Sequence, residues 1–259
     1  MSKVFDFLKN DFTNLYMRNV LEHKAVNKAI AFCDNDNLNL IYTGMFSEVN
    51  NGKGITDDLE LYLVSYLIQK NKNIKGFDLS DDAVCISKEK KLNVVSGDIK
   101  DIESIISNQH FDAIISNDTL YFLKSEEISK FMDSCSNGLR SGGVLILNIP
   151  VFEAFRGIHD ISVGIQRRFS RQDFNIFINH KDFRIVRKTF WPFLLFPLIF
   201  MTRLVQRFRY AFFNPEIKSD IDLPNPLINN LLYRITLFEV NNIKHSILGS
   251  SLFIVLQKK

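Results

Sequence analysis

Between Ile74 and Pro150, short apolar runs alternate with helical patterns, and this alternation is the strongest constraint on the fold. Apolar residues in continuous runs are typical of strands buried on both faces, whereas spacings of three and four residues are typical of helices. Strands that alternate with helices predict a parallel sheet with helices on both faces. We therefore predict an α/β, Rossmann-like, doubly wound sheet of about seven strands. The predicted strands cover residues 38–43, 74–79, 92–96, 111–116, 144–149, 183–186 and 252–256.

Polar residues or glycines flank four of these runs: Asp78, Asp98, Asn117-Asp118 and Gly142-Gly143. Polar groups at the strand ends of an open parallel sheet build a ligand crevice. Asp78 can accept hydrogen bonds from ribose hydroxyls, or it can serve as a turn or helix-capping acid. Asp98 can accept from an exocyclic amine such as that of adenine, or it can be part of a Gly-Asp turn. Together the two acids predict a nucleoside site.

The segments around these residues resemble the class I S-adenosylmethionine-dependent methyltransferases of the bacterial small-molecule type. The resemblance covers about Leu38 to Arg209 and includes IKGFDLS, VVSGDIKD, FDAIISNDTLYFL and LRSGGVLILNIP. It implies S-adenosylmethionine as cofactor and a sheet whose last strand is antiparallel. It also implies that Asp78 binds ribose, that Asp98 binds the adenine amine, and that Asn117 lies near the sulfonium. Leu79 and Ile99, which follow the two acids, are further predicted cofactor-binding residues.

The sequence departs from this family where the first strand ends. The family has an acid followed by a compact glycine-rich turn, whereas this chain has LIYTGMFSEVNNGKGITDDL. Gly44, Gly52 and Gly54 are the glycines that remain to let the cofactor approach the backbone. The expanded loop favours a second hypothesis as well, a catalytically inactive binding or scaffold subunit that has lost the cofactor.

Candidate catalytic and substrate-binding residues follow the strand that ends near Ile149. His159 has a suitable pKa for a general base, and Asp160 can act as the base or bind substrate hydroxyls. A His-Asp pair that caps the local backbone explains the same residues. Arg167 and Arg168 can bind a phosphate or carboxylate of the substrate, although exposed arginine pairs are often simply solvated.

The composition and the remaining motifs bear on the binding partners and the cellular location of the protein. A net charge of +3 does not indicate nucleic-acid binding, and no residue pattern predicts a metal site. Three widely spaced cysteines predict reduced thiols packed as small hydrophobes in a cytoplasmic protein. The apolar stretch 190–201 is too short to span a bilayer. With the arginines behind it, this stretch fits an interfacial helix in peripheral contact with the inner membrane surface, and it fits equally a segment that packs on the sheet or on a partner subunit. The oligomeric state is not indicated.

These observations predict one methyltransferase-like domain over residues 1–259 with four parts. A helical lead-in covers residues 1–37, and the cofactor-binding core covers residues 38–189. A helical aromatic cap is inserted over residues 190–250, and residues 251–259 form the last strand. The methyl acceptor is expected to be a small molecule or a glycan or lipid-linked compound.

Overall fold

The structure is a computed structural model, and the fold is described for eight segments of the chain. They are residues 38–43, 73–89, 91–107, 109–157, 160–161, 164–178, 180–213 and 226–259. The predicted helical lead-in, residues 1–37, lies outside them, as do Gly44, Gly52, Gly54 and His159.

Strands and helices alternate through the described chain as predicted. The strands are β1 (Asn39–Thr43), β2 (Asn73–Asp78), β3 (Val94–Ser96), β4 (Phe111–Asn117), β5 (Leu139–Pro150), β6 (Phe183–Trp191) and β7 (Ser251–Lys258). The α-helices are α1 (Asp81–Glu89), α2 (Ile102–Ile106), α3 (Ser125–Gly138), α4 (Phe174–Ile178), α5 (Phe196–Phe213) and α6 (Pro226–Asn242). Short 3₁₀ turns occupy Ile99–Asp101, Leu120–Phe122 and Glu153–Phe155.

The seven strands form one sheet in the order β3-β2-β1-β4-β5-β7-β6. Strands β1 to β5 pair in parallel, and β7 lies antiparallel between β5 and β6. The strand order reverses between β1 and β4, which are neighbours although two strands separate them in the chain. The predicted α/β class and the antiparallel last strand are confirmed.

Alternate residues of the central strands pack on opposite faces of the sheet. Ile41 and Ile114 contribute to one buried cluster with residues of α2, α3 and α4. Tyr42 and Ile115 contribute to the other cluster, which includes Ala83 of α1. Because both faces are covered, apolar residues on these strands face both ways, as is typical of parallel sheets.

Two strands extend five residues beyond their predicted ranges, whereas the other strand boundaries lie within about two residues of the prediction. β5 begins at Leu139, and β6 continues to Trp191, five residues past the predicted end. Phe190 and Trp191 pair with Leu252 and Ser251 of β7, so both belong to the sheet. The helical cap therefore begins after Trp191 and not at residue 190.

The pair Gly142-Gly143 lies at the start of β5, at the sheet edge opposite the ends of β1 to β4, so its inclusion among the crevice residues was wrong. Gly142 has a φ of +80°, and a Cβ on Gly143 would come within 2.9–3.0 Å of the carbonyl oxygens of Arg140 and Asp112. Beside this turn, Nη1 of Arg140 donates to both carboxylate oxygens of Asp112 at 2.9 and 3.0 Å. Asp112 also accepts from the Asn39 amide. These residues join the starts of three strands.

The two cysteines in the described segments differ in environment. Cys135 is buried, and its burial raises the pKa of the thiol well above the usual value. Cys85 is exposed on α1, so the prediction of a thiol packed in the core was wrong for this residue. Cys33 lies outside the described segments.

The helices of the cap contact the segment that follows β5. Phe196 and Phe200 of α5 make edge contacts with Phe155. Glu239 of α6 accepts from the amides of Phe193 and Leu194, at 2.7 and 2.8 Å, just before α5 begins. Within the described segments, the helices are all too short or too polar to cross a bilayer.

We expect Gly143→Ala to lower the free energy of unfolding by about 2 kcal/mol, because its Cβ would meet two backbone carbonyls that cannot rotate away. Gly164→Ala is the matched control: Gly164 has a φ of +73° but nothing within 4 Å of an added Cβ. We expect that change to cost about 1 kcal/mol. Urea denaturation measures both, and an equal or smaller loss for Gly143→Ala contradicts the close-contact explanation.

Candidate functional site

The ends of β1 to β4 meet at one edge of the sheet. Thr43 of β1 is in register with Phe77 of β2 and Ser116 of β4, and Asp78 of β2 is in register with Ser96 of β3. Because these strands are parallel, their last residues lie side by side. The point at which the strand order reverses is in the same edge, where open α/β sheets bind ligands.

Asp78 is held at the end of β2 by a tight local turn. Its Oδ1 accepts a hydrogen bond from the Ser80 amide at 2.8 Å, and Ser80 Oγ accepts from the Ala83 amide at the start of α1. Asp78 is only 5% exposed. The turn role considered for this acid is therefore present. It also orients the carboxylate at the strand end, which is compatible with binding a diol.

Asp98 follows β3, the strand that pairs with β2, two residues after the position in register with Asp78. The Gly97 amide donates to the Asp78 carbonyl at 2.9 Å, so Asp98 follows a residue that is bonded to the end of β2. Oδ1 of Asp98 accepts from the Lys100 amide at 2.9 Å and caps the short 3₁₀ turn. The side chain is half-buried. The structure thus brings the two acids to neighbouring strand ends, as predicted.

Apolar side chains accompany both acids. Leu79 is 71% exposed, although it adjoins the buried Asp78. Ile99 is half-buried and packs against the core. An exposed leucine beside a buried carboxylate offers an apolar surface to a planar base.

Gly97 is a residue of this edge whose structural role the sequence analysis missed. A Cβ at this position would lie 2.7 Å from Ile105 Cδ1, so glycine allows α2 to pack closely beneath the edge. In the sequence, Gly97 stands between the end of a strand and Asp98, and this position indicated only a turn and not the close approach of α2.

A buried chain of polar groups supports the end of β4. Asp118, which follows Asn117, has a φ of +48°, and its amide donates to the Asn148 carbonyl at 2.9 Å. Nδ2 of Asn148 donates to Asp118 Oδ2 at 3.2 Å, and Nε1 of Trp191 donates to Asn148 Oδ1 at 3.0 Å. Sequence analysis missed Asn148 and Trp191. The feature that could have indicated a role for Asn148 is that it is a single amide side chain inside an otherwise apolar strand.

The end of β1 carries a hydroxyl group in place of the family's acid. Oγ1 of Thr43 lies 3.4 Å from Oγ1 of Thr119, which is 2.7 Å from Oγ of Ser116. All three residues are buried. This hydroxyl network connects β1 to β4. The predicted glycines Gly44, Gly52 and Gly54, which follow β1, lie outside the described segments.

Asp160 and Arg168 form a buried ion pair with each other. Arg168 Nη2 donates to Asp160 Oδ1 at 2.8 Å and Nε donates to Oδ2 at 3.2 Å, while the Gly157 amide donates to Oδ2 at 2.6 Å. Arg168 Nη1 also donates to the carbonyls of Val151 and Ser250. Asp160 is fully buried and the Arg168 side chain is 8% exposed. This pair ties the segment after β5 to Ser250, which directly precedes β7. His159, the predicted catalytic residue next to Asp160, lies outside the described segments.

Arg167 differs from its neighbour because part of its guanidinium has no hydrogen-bond acceptor. Nη1 donates to Ser125 Oγ at 3.1 Å, and Nη2 lies 3.6 Å from Asp173 Oδ1. The guanidinium stacks on the Phe169 ring. Within the described chain, neither Nε nor Nη2 has a hydrogen-bond partner. The predicted arginine pair is thus divided between two environments.

Residues 61–147 match the family model described as "Methyltransferase domain". This range contains Asp78, Asp98 and Asn117. No curated protein matches the chain significantly.

Solved structures of methyltransferases have a similar fold. A TehB-like SAM-dependent methyltransferase from Corynebacterium glutamicum aligns with a TM-score of 0.53 and 12% identity, over 100% of this chain and 96% of that one. A S-adenosylmethionine-dependent methyltransferase from Clostridium acetobutylicum aligns with a TM-score of 0.54 and 12% identity, over 98% and 97% of the two chains. A SAM-dependent methyltransferase from Archaeoglobus fulgidus gives 0.54 and 12%, over 98% and 100%.

The family-model match and the sheet topology lead to one assignment. The match spans the strand ends at which Asp78 and Asp98 meet. The similarity to the solved structures shows that the fold is shared. Residues 61–147 of the chain therefore match a methyltransferase domain, and the fold around them is that of solved S-adenosylmethionine-dependent methyltransferases.

Proposed function

We propose that the protein binds S-adenosylmethionine at the carboxyl edge of β1 to β4 and transfers its methyl group to a small-molecule or glycan or lipid-linked acceptor in the cytoplasm. The observation that carries the proposal is the pair Asp78 and Asp98 on adjoining strand ends within the matched domain. Two carboxylates at neighbouring positions can accept hydrogen bonds from two separate parts of one nucleoside.

The residues at this edge fit the nucleoside part of the cofactor. Asp78 is a buried, oriented acceptor of the kind that binds a ribose diol. Asp98 is a half-buried acceptor, and no hydrogen bond to its Oδ2 occurs within the described chain. Leu79 and Ile99 add apolar surface beside the two acids. When bound, the cofactor would supply a methyl group on a sulfonium: as an oxygen or nitrogen of the acceptor bonds to the methyl carbon, the carbon–sulfur bond breaks and its electron pair stays on the leaving sulfur.

Asn117, the last residue of β4, and Asp118, which follows it, are polar residues at this edge. We assign Asn117 to the cofactor side of the site, as the family resemblance implies. The Asp118 carboxylate is held by Asn148, which is in turn held by Trp191, and neither partner is exposed. Such a chain of hydrogen bonds fixes the orientation of a polar group without depending on solvent.

We assign different roles to the four residues that were predicted to act in catalysis or substrate binding. His159 remains our candidate for the general base. The Asp160 carboxylate already accepts three hydrogen bonds, so we assign it to positioning the loop that carries His159. Arg168 shares that task. Arg167, which has two nitrogens without acceptors in the described chain, is our candidate for holding an anionic group of the acceptor.

A catalytically inactive binding or scaffold subunit is the second candidate function. The observation that favours it is the end of β1, where Thr43 takes part in a hydroxyl network instead of providing the family's acid. An acid at this position would reach the amino acid part of the cofactor, whereas a buried threonine bonded to Thr119 does not. The two functions differ in whether the cofactor binds at all.

We expect S-adenosylhomocysteine to bind the wild-type protein and Asp78→Asn to weaken the binding at least about tenfold. A hydrogen bond to a charged group contributes about 1.5–3 kcal/mol, and asparagine can still accept from the Ser80 amide, so the turn is preserved. Isothermal titration calorimetry measures the Kd.

Asp133→Asn is the matched control for this experiment. Its carboxylate is 61% exposed and contacts His180, which precedes β6, so the change lies away from the site. We expect wild-type affinity for this variant. Absence of binding by the wild-type protein contradicts the enzymatic proposal and favours the inactive subunit, whereas unchanged affinity of Asp78→Asn contradicts the ribose role.

We expect the wild-type protein to prefer S-adenosylhomocysteine over S-inosylhomocysteine, because the Asp98 carboxylate accepts from an amine but repels the carbonyl oxygen of hypoxanthine. Asp98→Asn should reduce this preference several-fold, since an amide can donate as well as accept. Competition titrations with the two compounds measure the ratio. A ratio that Asp98→Asn leaves unchanged contradicts the adenine role of this residue.

A further inference from the structure

Helix α5 presents its most apolar side to solvent. Six large apolar side chains that recur every three or four residues form a stripe on this helix, and they are 48–69% exposed. We call them the α5 stripe: Leu198, Met201, Leu204, Val205, Phe208 and Phe212. Residues at these spacings lie on one face of a helix. The rings of Phe208 and Phe212 contact each other, with centroids 4.4 Å apart.

The opposite side of α5 is fixed to the protein. Phe196 and Phe200 pack on Phe155. Arg207 donates through Nε to the Arg156 carbonyl at 3.0 Å and through Nη2 to the Glu153 carbonyl. The inner side of this helix therefore combines aromatic and charged contacts, while its outer side is apolar. This arrangement is the reverse of a surface helix of a water-exposed domain.

Helix α6 and the turn that follows it have further exposed apolar side chains. The most exposed of these residues are Leu227, Ile228, Leu231, Phe238 and Ile247. Glu239 of α6 is bonded to the amides of Phe193 and Leu194, which directly precede α5. Most of the exposed apolar residues thus belong to α5 and to α6, which is bonded to the segment just before α5. Such a number of exposed large apolar side chains is unusual for a monomer.

The charge of α5 is positive. The helix contains Arg203, Arg207 and Arg209 and no acidic residue. Arg209 is exposed and lies four residues after Val205, beside the α5 stripe. In α6, Glu239 is buried and therefore does not neutralise this surface.

We propose that the α5 stripe inserts into the interface of an anionic phospholipid bilayer, with α5 lying in the plane of the membrane and Arg209 near the lipid phosphates. An in-plane helix with apolar and aromatic residues on one side and basic residues beside them is the pattern of interfacial membrane binding. A symmetric contact with a second copy is less suitable. In a symmetric dimer the positively charged α5 of one subunit would face the same helix of the other, and α5 has no acidic residue to offset the repulsion. This inference uses none of the cofactor-site residues and stands or falls independently of the proposed function.

The test is cosedimentation of the full chain with vesicles of phosphatidylcholine alone and of phosphatidylcholine mixed equally with phosphatidylglycerol. We expect binding to the mixed vesicles, weaker binding to phosphatidylcholine, and a decrease with added salt. The double variant Phe208→Ser/Phe212→Ser should reduce the partition coefficient at least about tenfold, because two aromatic side chains no longer leave water. Arg209→Glu should remove most of the preference for anionic vesicles.

Ile185→Ser is the matched control. Ile185 is also an exposed apolar residue, but it lies near the start of β6, at the sheet edge far from the cap. We expect this variant to bind vesicles as the wild type does. Thermal unfolding and the affinity for S-adenosylhomocysteine, measured on every variant, report whether the fold is intact.

Three results overturn the proposal. They are failure of the wild-type protein to bind the mixed vesicles, equal binding of both vesicle types, and wild-type binding by the double phenylalanine variant. Analytical ultracentrifugation tests whether a second copy of the chain covers the α5 stripe instead. If the wild-type protein is a dimer that does not bind vesicles, and Phe208→Ser/Phe212→Ser dissociates this dimer, the α5 stripe is a dimer interface.

Discussion

The parallel pairing of β1 to β4 is the constraint on which the site depends. Parallel strands end at the same edge of a sheet, so residues that are far apart in sequence become neighbours there. Asp78 and Asp98 are twenty positions apart in the chain, yet the Gly97 amide is bonded to the Asp78 carbonyl at 2.9 Å. A change in the register of β3 against β2 would separate the two acids. The site is therefore a consequence of the backbone hydrogen bonds of the sheet.

The antiparallel part of the sheet supports this edge from the other side. Trp191, the last residue of β6, reaches across β7 to Asn148 of β5, and Asn148 in turn orients Asp118 next to β4. The ion pair of Asp160 and Arg168 joins the segment after β5 to Ser250 at the start of β7. Both arrangements hold buried polar groups in place through hydrogen bonds between different strands and loops. They make the loops beyond β4 and β5 a defined surface next to the cofactor side of the site.

The sequence predicted the parts of the fold that local patterns determine. Apolar runs located all seven strands, and the acids at Asp78 and Asp98 were placed correctly because a strand end is visible as a polar residue after an apolar run. The side of the sheet on which a glycine pair lies is less visible. Gly142-Gly143 precedes its strand, and the pair packs against Asp112, a contact that only the register of β4 and β5 creates.

Long-range contacts explain the rest of what the sequence did not reveal. Asp160 and Arg168 were expected to face a substrate, but their closest partners are each other, eight residues apart in the chain. The direction of α5 depends on contacts of Arg207 with two carbonyls about fifty residues away. The composition of the helix indicated an aromatic and basic segment without indicating which side would be buried. The glycines after β1 lie outside the described segments and remain predictions.

A crystal structure of the protein with S-adenosylhomocysteine tests the central claim most directly, because it locates the nucleoside relative to the two acids. The account predicts that the Asp78 carboxylate accepts hydrogen bonds from the ribose hydroxyls and that Asp98 accepts from the adenine amine. Leu79 should lie against the base. A nucleoside bound elsewhere on the chain, or a carboxyl edge closed by the loop that follows β1, would contradict it.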